Sequence, residues 1–175
     1  MVLIVDHNDK VLGTMPKMEA HRHGVLHRAF SVFVFNSDGN MLLQRRADHK
    51  YHSGGLWTNT CCSHPLTDTD ITLQAALRTR QEMGLTPDRM KHIGNLIYRA
   101  ELDCGMVEHE LDHIYVGYSD QIPEPDPDEV SGYLYMPLPE LRKALSIVPN
   151  EFTIWFRLIM EHFGDVIGAN TFAGA

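Results

Sequence analysis

The order of segments along this chain predicts an α/β (α+β) sandwich, in which a mixed β-sheet is flanked by helices. Extended segments come first, one long helical segment lies near the middle, more extended segments follow, and helical segments end the chain. This order is typical of a domain whose layers of sheet and helix enclose one core. Because 175 residues can bury a core of that kind, we expect a single domain over residues 1–175.

The first half predicts an N-terminal hairpin, a short helical turn, a second hairpin and an extended run. In order, these are residues 2–6 and 11–15, 17–23, 29–36 and 41–46, and 57–63. Gly24 follows the helical turn, where glycine commonly ends a helix. Ser37-Asp38-Gly39-Asn40 separates the second pair and has the residues that favour a tight turn. Residues 48–55 are expected to form a polar loop.

The second half begins with the clearest helix, over residues 70–83. Its apolar side is predicted to consist of Leu73, Ala76, Leu77 and Met83, and Gly84 stands where a helix would end. The elements expected after it are strands at 91–99, 109–118 and 133–136, a short helix at 139–145 and a terminal helix at 151–162. Residues 121–128 should form a proline-rich loop, and residues 168–175 a frayed tail.

Composition and charge exclude several classes of function. The chain has 15 Lys and Arg against 23 Asp and Glu, and its net charge of −8 argues against binding to nucleic acid or an anionic membrane. No apolar run approaches the ~20 residues that a membrane helix needs. The N-terminus is short and soon acidic, unlike a signal peptide. Adjacent Cys61 and Cys62, with Cys104 in an expected loop, fit reduced thiols, so we expect a cytoplasmic protein.

The most informative stretch is Trp57-Thr58-Asn59-Thr60-Cys61-Cys62-Ser63-His64-Pro65. If it is extended, Cys62 and His64 point to one face of a strand and Cys61 points to the other. Glu108 and Glu110 repeat the same spacing downstream, so both carboxylates could face the same cavity from another strand. With His21 and His27 upstream, the chain offers imidazoles and carboxylates that suit a divalent metal with mixed nitrogen and oxygen ligands.

Three motifs together resemble the type I isopentenyl-diphosphate isomerases, which share the fold of the Nudix hydrolases. They are His27-Arg28-Ala29-Phe30-Ser31-Val32-Phe33, the run 58–65, and Val107-Glu108-His109-Glu110. The resemblance covers roughly residues 1–163. It implies a Nudix-like sandwich and an enzyme that interconverts isopentenyl diphosphate and dimethylallyl diphosphate. The implied partner is therefore a small-molecule prenyl diphosphate.

The resemblance also implies a role for each candidate residue. One divalent ion (manganese, zinc or magnesium) would lie on His21, His27, His64, Glu108 and Glu110, with His23 as an alternative to His21. A magnesium bound with the substrate diphosphate would lie on Glu82. Contacts to the diphosphate fall on Lys17, Arg46, Lys50 and Arg78. The catalytic groups would be Cys62, Glu110, Tyr98 and Trp155.

The implied reaction explains these residue types. One proton is added to an unactivated alkene and another is removed, so two opposed acid–base groups are needed, and either Cys62 or Glu110 could be the acid. A thiol with pKa ~8.5 is mostly protonated at neutral pH but can also act as thiolate. Tyr98 is expected to hydrogen-bond Glu110. A Trp face stabilises a developing carbocation, and Trp155, or else Trp57, could supply it.

Two other functions compete with this interpretation. A Nudix diphosphohydrolase needs several glutamates around its metals. Aligned with the box of that family, this chain has Ser63 for the first Gly, Thr69 for the first Glu and Leu77-Arg78 for Arg-Glu, so Glu82 is the glutamate that remains. A structural zinc module usually gathers Cys and His ligands at short local spacings. The ligands here are mostly His and Glu and are spread over about ninety residues, which does not fit such a module.

Overall fold

The computed structural model describes residues 1–102 and 105–171, and within them it confirms the mixed sheet flanked by helices. The strands are β1 Val2–Val5, β2 Val11–Met15, β3 His27–Phe35, β4 Asn40–Arg46, β5 Trp57–Thr58, β6 Cys61–Ser63, β7 Asp88–Glu101, β8 Val107–Tyr118 and β9 Val130–Pro137. The helices are α1 Lys17–His23, α2 Ile71–Met83, α3 Leu138–Ile147 and α4 Ile154–Ala169, with a 3₁₀ turn at Pro149–Glu151. None of these helices is long and apolar enough to cross a membrane.

Strand β3 is the centre of the sheet. It pairs in parallel with β8 along its whole length, from His27 opposite Glu110 to Phe35 opposite Tyr118. Its other edge meets β1, β6 and β4 in turn, each antiparallel. Beyond these, β8 pairs with β7, β4 with β9 and β5, and β1 with β2, which is the predicted N-terminal hairpin. The parallel pair therefore makes the sheet mixed.

The alternation of side chains along β3 divides the core into two layers. Val32 and Val34 pack on one face of the sheet with Ala75 of α2. Phe33 and Phe35 pack on the other face with Phe156 of α4. Because successive residues of a strand point to opposite faces, one apolar strand serves both layers. The sheet is thus covered by α2 on one side and α4 on the other.

Helix α2 begins and ends where the sequence indicates. The Asp70 side chain accepts a hydrogen bond from the Leu73 backbone N–H at 3.0 Å, which caps the N-terminus. Gly84 ends the helix with a φ of 71°, and a Cβ there would lie 2.4 Å from the Glu124 carbonyl oxygen. Glycine is therefore needed at this position for both its backbone angle and its lack of a side chain.

The buried face of α2 differs from the predicted one. Leu73 and Leu77 are 53% and 50% exposed, whereas Ala75, Thr79 and Met83 are fully buried. The prediction of an apolar side containing both leucines is therefore wrong. The short side chains of Ala75 and Thr79 let the helix axis lie close to the sheet, which turns the leucines outward, although the periodic pattern favoured burying them.

Several boundaries also differ from the sequence prediction. The run at 57–63 is divided into β5 and β6 because the Asn59 amide donates to the carbonyls of Val32 and Cys61, at 3.1 and 2.8 Å. Strands β7 and β8 are longer than expected. The prediction that a frayed tail begins at residue 168 is wrong, because α4 continues to Ala169. Residues 172–175 and the predicted loop thiol Cys104 lie outside the described residues.

Candidate active site and metal centre

Strands β3, β4, β6 and β8 and helices α1 and α4 bring the candidate residues into one cleft. His27 begins β3 opposite Glu110 of β8, and Cys62 of β6 pairs with Ser31 on the other edge of β3. The cleft measures about 340 Å³, counting the space open to solvent. The predicted residues that line it are Lys17, His21, Arg46, Cys62, His64, Glu108, Glu110 and Trp155. Phe30, Ser63 and His52 complete its wall.

A compact cluster of imidazoles surrounds one carboxylate oxygen. Glu110 Oε1 lies 3.0 Å from His64 Nε2, 3.4 Å from His27 Nε2 and 3.9 Å from His21 Nε2. One ligand atom from each of the four residues lies within 4.8 Å of the others. His23 is exposed on the surface of α1, so His21 rather than His23 reaches this cluster. The cluster could hold a divalent metal ion.

The hydrogen bonding of the imidazoles fits a metal centre. The His27 Nδ1–H donates to the Val25 carbonyl at 2.8 Å, which leaves the Nε2 lone pair directed at the cluster. Both ring nitrogens of the buried His21 lack a hydrogen-bond partner in the described part of the chain. Burial lowers the pKa of His64 to about 3, so its ring is neutral, as metal ligation requires. A buried nitrogen without a partner is costly, and a cation would satisfy the unprotonated nitrogen of His21.

The pKa values of the two glutamates of β8 are shifted in opposite directions. Burial opposes the ionisation of Glu110, but the three imidazoles around it hold its pKa well below the usual range. Burial and the neighbouring Glu110 charge raise the pKa of Glu108 well above its usual range. The Tyr98 hydroxyl donates to Glu110 at 2.6 Å and lies 3.3 Å from Glu108, so the expected contact to Glu110 is present.

The two adjacent cysteines lie on opposite faces of the sheet, as their positions on one strand predict. Cys61 is fully buried in the layer beneath α2, and Cys62 packs against the other layer and lines the cleft. Burial raises the pKa of Cys62 to about 12, and this effect outweighs the nearby Arg46. The thiol that faces the cluster is consequently protonated at neutral pH.

An aromatic and cationic wall closes the cleft. The Arg46 guanidinium lies over the Trp155 ring, 5.2 Å from its centroid. The Arg46 Nε is buried and has no hydrogen-bond partner in the described part of the chain, so it can receive an anion. Lys17 lies over the Tyr51 ring at 5.3 Å. Trp57 lines a separate groove between β9 and α3 and not this cleft, and its role as an aromatic group of the site remains a prediction.

Three other predicted residues do not line this cleft. Lys50 and Arg78 both pair with Glu129, and Arg78 Nη2 lies 2.8 Å from it. Glu82 is buried, and its carboxylate accepts from Arg78 Nε at 2.7 Å and from the Gln44 amide at 3.0 Å. Arg78 lines only an adjoining groove, which shares Phe30, Ser63 and His64 with the cleft. The roles predicted for these three residues remain predictions.

His52 is a titratable residue of the cleft wall to which the sequence assigned no role. It is 7% exposed, its Nε2 lies 3.7 Å from Glu108 Oε1, and its ring meets the Trp155 ring edge to face at 5.6 Å. Burial lowers the pKa of His52 to about 3. A histidine in a polar loop has no periodic pattern around it, so only the fold of the loop reveals its position.

Comparisons with known proteins agree with this architecture and site. The NUDIX domain family matches residues 25–156. The chain is 49% identical to the isopentenyl-diphosphate Delta-isomerase of Pectobacterium atrosepticum, over 94% of this chain and 91% of that one. It is 40% identical to the enzyme of that name from Serratia proteamaculans, with the same coverage. The MutT protein of Methanosarcina mazei has a similar fold, with a TM-score of 0.63 at 19% identity over 81% of this chain and 94% of that one.

The fold and the cleft are those of a NUDIX domain in which α2 carries a single acidic residue, Glu82. A thiol and a His/Glu cluster face the cleft instead. The chain belongs to the isopentenyl-diphosphate Delta-isomerases of the NUDIX family.

Proposed function

We propose that this chain interconverts isopentenyl diphosphate and dimethylallyl diphosphate. The observation that supports it most directly is the placement of the Cys62 thiol in the same cleft as the Glu110–histidine cluster. The identity of 40–49% to relatives of that name, over more than 90% of the chain, supports it independently. Two adjacent free thiols, Cys61 and Cys62, also support a reducing compartment such as the cytoplasm.

Cys62 and Glu110 are the two proton-transfer groups of the proposed reaction. The conversion to dimethylallyl diphosphate adds a proton to C4 of the alkene and removes one from C2, through a tertiary carbocation. In the reverse direction the same two groups exchange roles. Tyr98 holds the Glu110 carboxylate from the side of β7, which fixes its direction towards the cleft.

The buried wall protects the carbocation from water. Trp155 is 3% exposed and presents its ring to the cleft, and an aromatic face stabilises a cation by about 0.5–2 kcal/mol. Bulk water would convert the cation to an alcohol, so a narrow cleft is part of the mechanism. A divalent ion on His21, His27, His64 and Glu110, with Glu108 at the edge of this set, would act as a Lewis acid that sets the acidity of the bound carboxylate.

The diphosphate supplies the binding energy that holds the alkene in place. Lys17 and Arg46 line the cleft and would contact it directly. Arg78 and Lys50 would contact it from the adjoining side, where Glu129 is their present partner. Glu82 is our candidate ligand for the magnesium ion that accompanies the diphosphate, because it is the acidic residue of α2 and is buried beside Arg78.

Proton NMR in D2O tests the proposal. Purified protein is mixed with isopentenyl diphosphate and with magnesium, manganese or zinc, and deuterated dimethylallyl diphosphate is expected to appear. Cys62→Ala should lower the rate by about 10²–10⁴-fold, since it removes a positioned proton-transfer group. Cys61→Ala is the matched control, because it removes the neighbouring thiol on the opposite face of the sheet, and its turnover should stay near that of wild type.

Three results would contradict the proposal. Release of inorganic phosphate or diphosphate instead of the isomer would identify a hydrolase. Several solved structures with a similar fold are named as hydrolases. An unchanged substrate with all three metals would exclude the isomerase. Equal loss of turnover in the two cysteine variants would show that the thiol in the cleft has no special part in the reaction.

A further inference from the structure

The loop between β4 and β5 inserts one histidine into the cleft. His52 is buried, and its ring lies edge to face against Tyr51 at 4.4 Å and Trp155 at 5.6 Å. The Arg46 Nη2 donates to its backbone carbonyl at 3.4 Å. His49 belongs to the same loop but is exposed. The fold therefore holds one of the two loop histidines in a defined place and leaves the other in solvent.

Glu108 is the neighbour from which we infer a role for His52. Of the five residues predicted to share one divalent ion, Glu108 is the one that lies outside the compact cluster of the other four. Its Oε2 faces the Tyr98 hydroxyl at 3.3 Å, and its Oε1 faces His52 Nε2 at 3.7 Å. Tyr98 and His52 thus lie beside different carboxylate oxygens of Glu108.

The contact of the other ring nitrogen, Nδ1, indicates which nitrogen of His52 carries the proton. His52 Nδ1 lies 3.3 Å from the Ser53 hydroxyl oxygen. When that hydroxyl donates to Nδ1, the proton of the imidazole is on Nε2, where it can be donated to Glu108. A distance of 3.7 Å is longer than a hydrogen bond, so a small turn of the Glu108 side chain is needed to form it.

We propose that His52 is a positioning residue that holds Glu108 at the edge of the metal centre, as a hydrogen-bond donor outside the ligand set. The proposal rests on the proposed function only in taking the His/Glu cluster as a metal centre. Ligating carboxylates are themselves hydrogen-bonded, and loss of such an outer partner typically weakens metal binding by about 10–100-fold. His52 orients Glu108 from one side, and Tyr98 orients it from the other side.

Binding of Mn²⁺ without substrate tests this role. The affinity of the full chain is measured from the electron paramagnetic resonance signal of free Mn²⁺, for wild type and variants. His52→Ala should weaken binding by about 10–100-fold. His52→Gln keeps an N–H donor on a side chain of similar reach, so it should stay within about threefold of wild type. His49→Ala is the matched control and should bind like wild type.

Two results with the His52 variants would overturn the proposal. Unchanged Mn²⁺ affinity in His52→Ala would show that His52 does not position Glu108. Equal weakening in His52→Gln would mean that the imidazole nitrogen itself binds the ion. If His52→Ala does not fold by circular dichroism, Ser53→Ala, which frees the ring, should still weaken binding, and no effect would exclude the role. Because no substrate is present, these results are independent of the NMR test of isomerisation.

Discussion

The two ends of the proposed substrate site are built in different ways. At the metal end, His27 and Glu110 lie opposite each other in the register of two parallel strands, and both are buried. At the cationic end, Lys50 comes from a loop and Arg78 from a helix, and Glu129 contacts both. The metal end is therefore set by backbone pairing, whereas the cationic end is held by side chains that already have an anionic partner.

This difference assigns separate tasks to the two ends. Residues in the register of a sheet keep their spacing whether or not a ligand is present, which suits proton transfer at fixed distances. Cations paired with a carboxylate are kept from repelling each other, but in the proposed site they would have to exchange that partner for the diphosphate. Burial opposes ionisation of Glu129, yet Lys50 and Arg78 lower its pKa, so it competes as a full negative charge.

The largest effect should come from breaking the metal end. Glu110→Gln keeps the shape of the side chain and the acceptor for Tyr98, but it removes the negative charge and the proton-transfer group. We expect the turnover number to fall by about 10²–10⁴-fold. Glu101→Gln, an exposed glutamate of β7, is the control and should leave the rate unchanged. A Glu110→Gln variant within tenfold of wild type would exclude Glu110 as a proton-transfer group.

A smaller effect is expected at the cationic end. Lys50→Met keeps the aliphatic part of the side chain and removes the charge, and a charge-assisted hydrogen bond is worth about 1.5–3 kcal/mol. Steady-state kinetics should show KM raised by about 10–100-fold with little change in turnover number. Lys143→Met, an exposed lysine of α3, provides the comparison. A lower turnover number with unchanged KM would place Lys50 in the chemistry rather than in binding.

The smallest effect should follow from removing the internal anion. Glu129→Gln leaves Lys50 and Arg78 without a full counter-charge, so inorganic diphosphate should bind roughly 3- to 10-fold more tightly, with a steeper dependence on salt. Isothermal titration calorimetry at two ionic strengths measures both quantities. The adjacent exposed Asp128→Asn is the control. Weaker binding by Glu129→Gln would mean that the carboxylate organises the two cations instead of competing for them.

The same contrast explains how far sequence reasoning reached. The placement of Cys62 and His64 on one face, and of Glu108 and Glu110 on another strand, follows from the alternation of side chains in strands, which is a local property. Lys50 and Arg78 both pair with Glu129, which lies 79 and 51 positions further along the chain. No local sequence pattern marks either pair. Such contacts depend on how a loop and a helix meet, so motif spacing does not predict them.

Helix α2 gives the corresponding lesson for the fold. Its bounds were predictable because Asp70 and Gly84 act on neighbouring backbone groups. Its buried face was not, because Leu73 and Leu77 satisfy the helical period while the sheet accepts the smaller Ala75 and Thr79. Close packing against a particular surface decided between two faces that the apolar pattern alone did not distinguish.

The parallel pairing of His27 with Glu110 has a consequence for folding. It joins two candidate ligands that are more than eighty residues apart in the chain, and closing a loop of that length is entropically costly before the sheet exists. The disordered chain therefore offers no comparable site, and an ion that binds here selects the native state. Each tenfold excess of free ion over its dissociation constant then adds about 1.4 kcal/mol to the free energy of unfolding.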